Sequence, residues 1–497
     1  MSKRTQMYTA ALAAIILLVA GLSPTSLSQT SPQVTTTGAR NAALIAATKD
    51  VLRETSELRQ LAILRPVQSS TQSRSEIERM LVKNLDEETT PAQLHAAEVT
   101  LKRLGLAPAD FQYRALMLRV LTEQVAGYYE PKTGEFHLAD WIDLDGQRPV
   151  MAHELTHALQ DQHFNLRRFE HWPRGDSDSE LAAHALIEGD ATLAMALYVT
   201  SNPLRALAFL NSMKAMGATS VEIEKAPRAL RETLLFPYQQ GTDWTKSLYK
   251  QGGWERVSKA FTELPQSTEQ VLHPDKYFVH EAPVKVTQPD ITNLLNSSER
   301  AALKSVPPAS AGGPNTQANK HRDSFAGSAD FPSAPSTQRE PGFQSNHAQD
   351  ARATWKRLDY DVQGEWGFYL ILDEFLKAPN ESRRAAAGWG GDRYAIYEGP
   401  KGEVLFASLS TWDTENDARE FFDAYVKRTA LRYPGATPID PTLNPGDRTL
   451  STALRTSDGT VIIELRGNQV VILEGLPQRI SPRSALNALW VEIFFKR

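Results

Sequence analysis

The chain has 497 residues, a formal net charge of −5 and 41% hydrophobic residues, ordinary values for a globular protein of more than one domain. It contains no cysteine, which excludes disulfides, a thiol nucleophile, a cysteine-ligated metal and a lipid-anchoring cysteine. No basic excess points to a nucleic-acid partner, and any metal site has to be built from His, Asp and Glu.

The first residues read as an export signal. Lys3 and Arg4 precede an apolar run from Ala10 to Leu22, and Ser26-Leu27-Ser28 supplies small residues for cleavage after Ser28. The run is short of the ~20 residues a spanning helix needs. Residues 1–28 are therefore read as a signal peptide, with an N-terminal membrane anchor as the alternative. A cysteine-free exported chain fits a bacterial periplasmic or secreted setting, with no stable membrane span once the signal is removed.

Residues 29–110 form an N-terminal helical region in this reading, with helices over 41–64, 75–85 and 91–104, the last opened by Thr90-Pro91. Residues 111–290 form the next unit. A helical pattern over 111–125 gives way to period-two runs, Gly127-Tyr128-Tyr129-Glu130 and Glu135-Phe136-His137-Leu138, joined by Pro131-Lys132-Thr133-Gly134. That is a hairpin, a device that can hold an extended peptide by backbone pairing. His137 is read as a solvent-facing strand histidine.

His153-Glu154-Leu155-Thr156-His157 follows, within helix-forming sequence. Two histidines four apart on a helix lie one turn above each other and reach one metal. Glu154 sits beside them, placed to act on a water at the metal rather than to ligate. Three residues compete for the third ligand position. His163 has the outer spacing of a longer HExxHxxGxxH pattern, but Gln160 stands where that pattern breaks the helix with glycine. On an unbroken helix His163 would lie about 15 Å along the axis from His153. Glu188 is preferred, because it lies in an alanine-rich helix over 179–199 whose small residues allow close approach, and a buried glutamate needs a cationic partner. His184, one turn earlier, is the other alternative. Asp161 and Asp190 are candidates for orienting a ligand imidazole through its free N–H.

Helices over 204–216 and 221–232 come next, and Phe236-Pro237-Tyr238 and Gly252-Gly253-Trp254 read as breaks before a helix from Trp254 to Leu264. Residues 300–352, rich in Pro, Gly, Ser and Gln, read as a disordered linker or insertion. Residues 353–497 form a C-terminal α+β module, with strands 393–397 and 404–407, a helix over 414–429, a hairpin of 461–465 with 469–473, and a last helix over 484–495. No catalytic constellation is visible there.

His153-Glu154-Leu155-Thr156-His157 followed by Glu188-Gly189-Asp190-Ala191 resembles the gluzincin branch of zincin metallopeptidases, and looks closest to a group of bacterial exported, largely uncharacterised metallopeptidases. That group is similar also in Val125-Ala126-Gly127-Tyr128-Tyr129 and in Ser267-Thr268-Glu269-Gln270-Val271-Leu272-His273-Pro274. The resemblance spans roughly residues 110 to 280. It implies a mainly α, zincin-like peptidase domain with a small edge sheet, and one Zn2+ per chain held by His153, His157 and Glu188. It further implies hydrolysis of a peptide or protein substrate with Glu154 as general base. In this superfamily a Tyr or His stabilises the oxyanion, and Tyr238, His273 and Tyr277 are the candidates. The GxMxN signature of aminopeptidases is absent, which favours an endopeptidase. A catalytically silent zincin-like binding or scaffold protein of the cell envelope and a non-peptidase metal hydrolase are the competing readings.

Overall fold

The computed structural model describes residues 37–124, 126–141, 147–216, 221–304, 354–439 and 449–490. The expected signal peptide lies outside the described residues. So does the expected linker, except that residues 300–304 finish a helix.

The N-terminal half is helical around a small sheet. Helix α1 (Thr37–Arg59) stops before the expected end at Leu64. Gln60 takes a left-handed φ of 59°, Leu61 N returns to Ser56 O, and the Ser56 hydroxyl caps the Leu61 carbonyl. Strand β1 (Gln68–Gln72) carries no apolar alternation, and nothing in the sequence announces it. Helices α2 (Arg74–Glu88) and α3 (Pro91–Leu104) open on capping boxes, Ser73 with Glu76 and Thr90 with Gln93. Gly105, at φ 74°, closes α3 in the left-handed conformation that glycine adopts without strain. Helix α4 (Tyr113–Gln124) leads into the hairpin β2 (Gly127–Glu130) and β3 (Glu135–Ala139), where the alternation placed it. The sheet order β1-β3-β2 leaves β2 at an edge. His137 is not solvent-facing: it is buried, with Nδ1 2.8 Å from Ser70 Oγ on the unexpected β1 and its ring against Tyr128.

Helix α5 (Arg148–Phe164) carries the HExxH residues and is buried through almost its whole length. Its Met151, Ala152, Leu155 and Leu159 pack with Leu44, Val51 and Leu52 of α1 and with Phe136 and Leu138 of β3. After the turn Leu166–His171, helix α6 (Ser177–Thr200) starts at Asp176, whose carboxylate accepts the Ser179 N–H. Helices α7 (Pro203–Met216) and α8 (Val221–Lys225) precede α9 (Arg228–Ala260). The break expected at 236–238 does not occur, because α9 runs through Pro237. The glycine pair does interrupt it: Gly252 and Gly253 leave helical geometry, Gly253 at φ 62°. Helices α10 (Thr268–Leu272), α11 (Pro274–Phe278) and α12 (Thr292–Lys304) finish this half.

The C-terminal module contains β4 (Lys356–Asp361), α13 (Gly364–Leu376), α14 (Pro379–Ala386), β5 (Trp389–Glu398), β6 (Val404–Trp412), α15 (Glu415–Arg432), β7 (Thr437–Pro438), β8 (Thr449–Thr456), β9 (Gly459–Arg466), β10 (Gln469–Leu476) and α16 (Pro482–Leu489). Its strands form one antiparallel sheet in the order β4-β5-β6-β10-β9-β8-β7. Alternate residues point to opposite faces and both faces are covered. Ile396, Phe406 and Ile472 enter a core that continues through Phe368 and Trp412 into Leu181 and Phe236 of the helical half. Ala395, Tyr397, Leu405 and Leu473 face Ile291, Leu295 and Leu486 instead. Buried Glu474 on β10 pairs with Arg428 of α15 at 2.7 Å and lies 3.9 Å from Arg103 of α3. The two halves therefore share apolar and ionic contacts. Among the described residues no single helix is long and apolar enough to cross a membrane.

Helices α6 and α9 pack backbone to backbone. A Cβ on Gly189 would lie 2.3 Å from Gly241 O, and one on Gly241 would lie 2.3 Å from Ala185 O. We expect Gly189→Ala to cost about 1–3 kcal/mol through this overpacking. Gly435→Ala, where an added Cβ meets nothing within 4 Å, should be within about 0.5 kcal/mol of wild type. Urea denaturation of the two variants checks this, and equal stabilities would refute the packing argument.

Candidate metal centre

Helix α5 presents His153 and His157 on one face, one turn apart, and α6 crosses close enough to bring Glu188 against both. His153 Nε2 is 3.1 Å from Glu188 Oε2 and 3.1 Å from His157 Nε2, and His157 Nε2 is 3.5 Å from Glu188 Oε2. All three are buried. A tetrahedral ion with bonds of about 2.0–2.1 Å sets its ligand atoms about 3.3–3.4 Å apart. The observed edges of 3.1, 3.1 and 3.5 Å bracket that spacing, and three lone-pair donors facing one another need a positive charge between them. The residues present thus fit a zinc-type ion.

Electrostatics point the same way. Burial disfavours the His157 cation, yet the facing Glu188 carboxylate more than offsets this and lifts the imidazole above its usual range. Glu188, despite its burial, is held well below the usual carboxylate range by His157 and His153. A proton on His157 occupies the place that a divalent cation would take.

The surrounding residues orient the ligands. His157 Nδ1 is 2.8 Å from Gln160 Oε1, so Nδ1–H donates and Nε2 is the nitrogen that would face a metal. The amide orientation of Gln160 is itself determined, because its Nε2 donates to Ile187 O and to Asp190 Oδ2 at 2.9 Å. Asp190 Oδ1 in turn accepts from Arg59 Nε at 2.5 Å, with both side chains fully buried. Asp190 therefore acts on the ligand at one remove, through Gln160. Asp161 does not orient a ligand: it takes Arg65, the Tyr129 hydroxyl and Leu166 N. Gln160, which the sequence reading valued only as a helix former, is the residue missed. Its position three after His157, on the same helical face, was the available signal.

Glu154 is fully buried beside the cluster. Its Oε2 accepts the Tyr129 N–H from edge strand β2 at 3.0 Å, while Oε1 has no partner. Burial, opposed by His157 and assisted by Glu188, pushes its carboxyl up to about 8. From α9, the Tyr238 ring stacks near His153, with centroids 6.2 Å apart, and its buried hydroxyl faces the Glu188 carboxylate. Burial and the Glu188 and Glu154 carboxylates hold that phenol well above its ordinary value. It stays a donor.

The other candidates are engaged elsewhere. Helix α5 continues unbroken past Gln160, and His163 Nε2 meets Ala62 O at 2.7 Å. His184 Nδ1 bonds Glu180 O. His273 Nε2 meets Glu365 Oε1 at 2.9 Å, and the Tyr277 hydroxyl donates to Glu263 O within an aromatic contact with Trp244. Of the three oxyanion candidates, only Tyr238 contacts the cluster.

Two expectations follow. Zinc binding at pH 7 should release protons, because a ligand imidazole must be neutral and the Glu188 carboxylate holds His157 above its usual range in the metal-free state. Calorimetry in buffers of different ionisation enthalpy measures this, and the release should shrink as pH rises through the elevated His157 pKa. Gln160→Ala should weaken metal affinity about 10–100-fold, whereas His163→Ala should leave it unchanged. Chelator competition on both variants decides between them.

Residues 352–483 match the family model of a domain of unknown function, DUF8575. No curated protein and no solved structure matches the chain. The match begins just before β4, ends within α16, and contains none of the residues of the metal centre.

Proposed function

We propose that this chain is a zinc-dependent metallopeptidase of the gluzincin type, an exported endopeptidase that hydrolyses peptide bonds of a polypeptide substrate. The observation that carries the reading is the convergence of five side chains from three helices. His153, His157 and Glu188 meet within hydrogen-bond distances, with Glu154 and Tyr238 beside them.

In this reading His153, His157 and Glu188 hold the ion. When bound, it supplies a Lewis acid that acidifies a water and polarises a carbonyl. Glu154 takes a proton on Oε1, the oxygen that has no other partner, and returns it to the leaving nitrogen. The Tyr238 hydroxyl donates to the oxygen on which negative charge develops. Gln160, Asp190 and Arg59 keep the His157 imidazole in one tautomer.

The runner-up is a catalytically silent zincin-like binding protein of the cell envelope. Its support is the closure of the site: Glu154 is 0% exposed and the Tyr129 N–H sits on its Oε2. Metal retention and turnover separate the two. We expect Glu154→Gln to keep about one zinc per chain and lose nearly all hydrolysis of a casein or peptide-library substrate. Tyr238→Phe should keep its zinc and lower kcat about 10²–10³-fold with little change in KM. Wild-type protein that binds zinc yet cleaves nothing would establish the silent reading instead.

A further inference from the structure

Glu154 has none of its surface open to solvent, and its Oε1 has no hydrogen-bond partner. His153 and Glu188 are equally withdrawn, at 0% and 4% exposure. Neither an ion nor a peptide carbonyl reaches these atoms unless something covering them moves. The helices are poor candidates. Helices α6 and α9 meet backbone to backbone at Gly189 and Gly241, and α5 is buried through almost its whole length. Parting them would open apolar cavities. Strand β2 is different. It is four residues long, lies at the sheet edge and has one strand neighbour, β3.

Among the described residues two hydrogen bonds tie β2 to α5, and both come from Tyr129. Its N–H donates to Glu154 Oε2 at 3.0 Å, and its hydroxyl donates to Asp161 Oδ2 at 2.9 Å. Glu154 and Asp161 are seven residues apart, two turns along one face of α5. The Tyr129 side chain, itself buried, therefore runs alongside the turn that carries His157. Its two ends differ. Asp161 Oδ2 is shared with Arg65, whose side chain is 52% exposed, while Asp161 Oδ1 stays with Leu166 N. Burial and Asp161 hold the phenol well above its ordinary value, so the hydroxyl remains a donor to a charged acceptor.

We propose that β2 is a strap over the metal centre, latched by the Tyr129 hydroxyl on Asp161, and that it lifts to admit the ion and the substrate. This rests on His153, His157 and Glu188 being a zinc site. The closed arrangement is then the resting state of a peptidase rather than the mark of a silent one. Tyr129→Phe removes the latch and keeps the ring and the backbone N–H. Zinc release into excess EDTA and zinc uptake by the metal-free chain should both be about tenfold faster in the variant, the worth of one such hydrogen bond, with equilibrium affinity within about twofold of wild type. Weaker affinity with unchanged uptake would make Tyr129 a support of the ligands instead, and equal rates in both proteins would remove the latch. Deuterium exchange of the metal-free proteins separates the two readings. The amides of 127–130 should exchange faster in the variant, and those of 179–195 should not. Wild-type protein that takes up no zinc would sink the metal centre, while this exchange still decides the latch. Unchanged exchange at 127–130 overturns the strap in either case.

Discussion

Helix α6 has to lie against α5 and α9 at once, and this constraint organises the protein. Glu188 reaches both histidines because α6 is nearly all small or aliphatic residues, so its backbone approaches its neighbours closely. On the α9 side the approach is tighter still, with Gly189 and Gly241 meeting backbone to backbone. The same contact sets Tyr238, one turn before Gly241, beside Glu188 and His153. A side chain at either glycine would push apart the helices that bring Glu188 and Tyr238 to His153.

Burying a carboxylate and two imidazoles in such a place requires compensation, and the chain supplies it in sequence. Arg59, at the end of α1, is fully buried over the Trp254 ring and pairs with Asp190. Asp190 holds Gln160, and Gln160 holds His157. Each of these side chains holds the next, while Arg59 Nη2 and His153 Nδ1 have no hydrogen-bond partner. If α1 continued beyond Arg59 to Leu64, residues 62–65 would not turn toward Gln162 and His163, which they now meet.

The C-terminal sheet is not an appendage. Its inner face completes the core that encloses α6 and α9, and Glu474 gathers arginines from α15 and α3. Near the N-terminus of α6, Asp178 accepts from Thr268 and Asp361 accepts from Ser177. The helix that bears Glu188 is therefore anchored at its first turn by the C-terminal module.

Local patterns in the sequence were enough for most helices, the β2–β3 hairpin, the pairing of strands β5 with β6 and β9 with β10, and the HExxH helix. All of these rest on periodicity, caps and turn residues, which are properties of neighbouring positions. The choice of Glu188 over His163 also came from local reasoning, since Gln160 keeps α5 helical and carries His163 out of reach. What the sequence could not supply depends on partners distant along the chain. Polar β1 is a strand only because β3 offers it a parallel edge. Pro237 is tolerated because the packing of α9 outweighs one lost hydrogen bond. Tyr238 was separated from His273 and Tyr277, and Gln160 gained its role, only when helices far apart in sequence converged. Periodicity carries no information about which distant polar group a buried side chain will meet, and in this protein those meetings make the site.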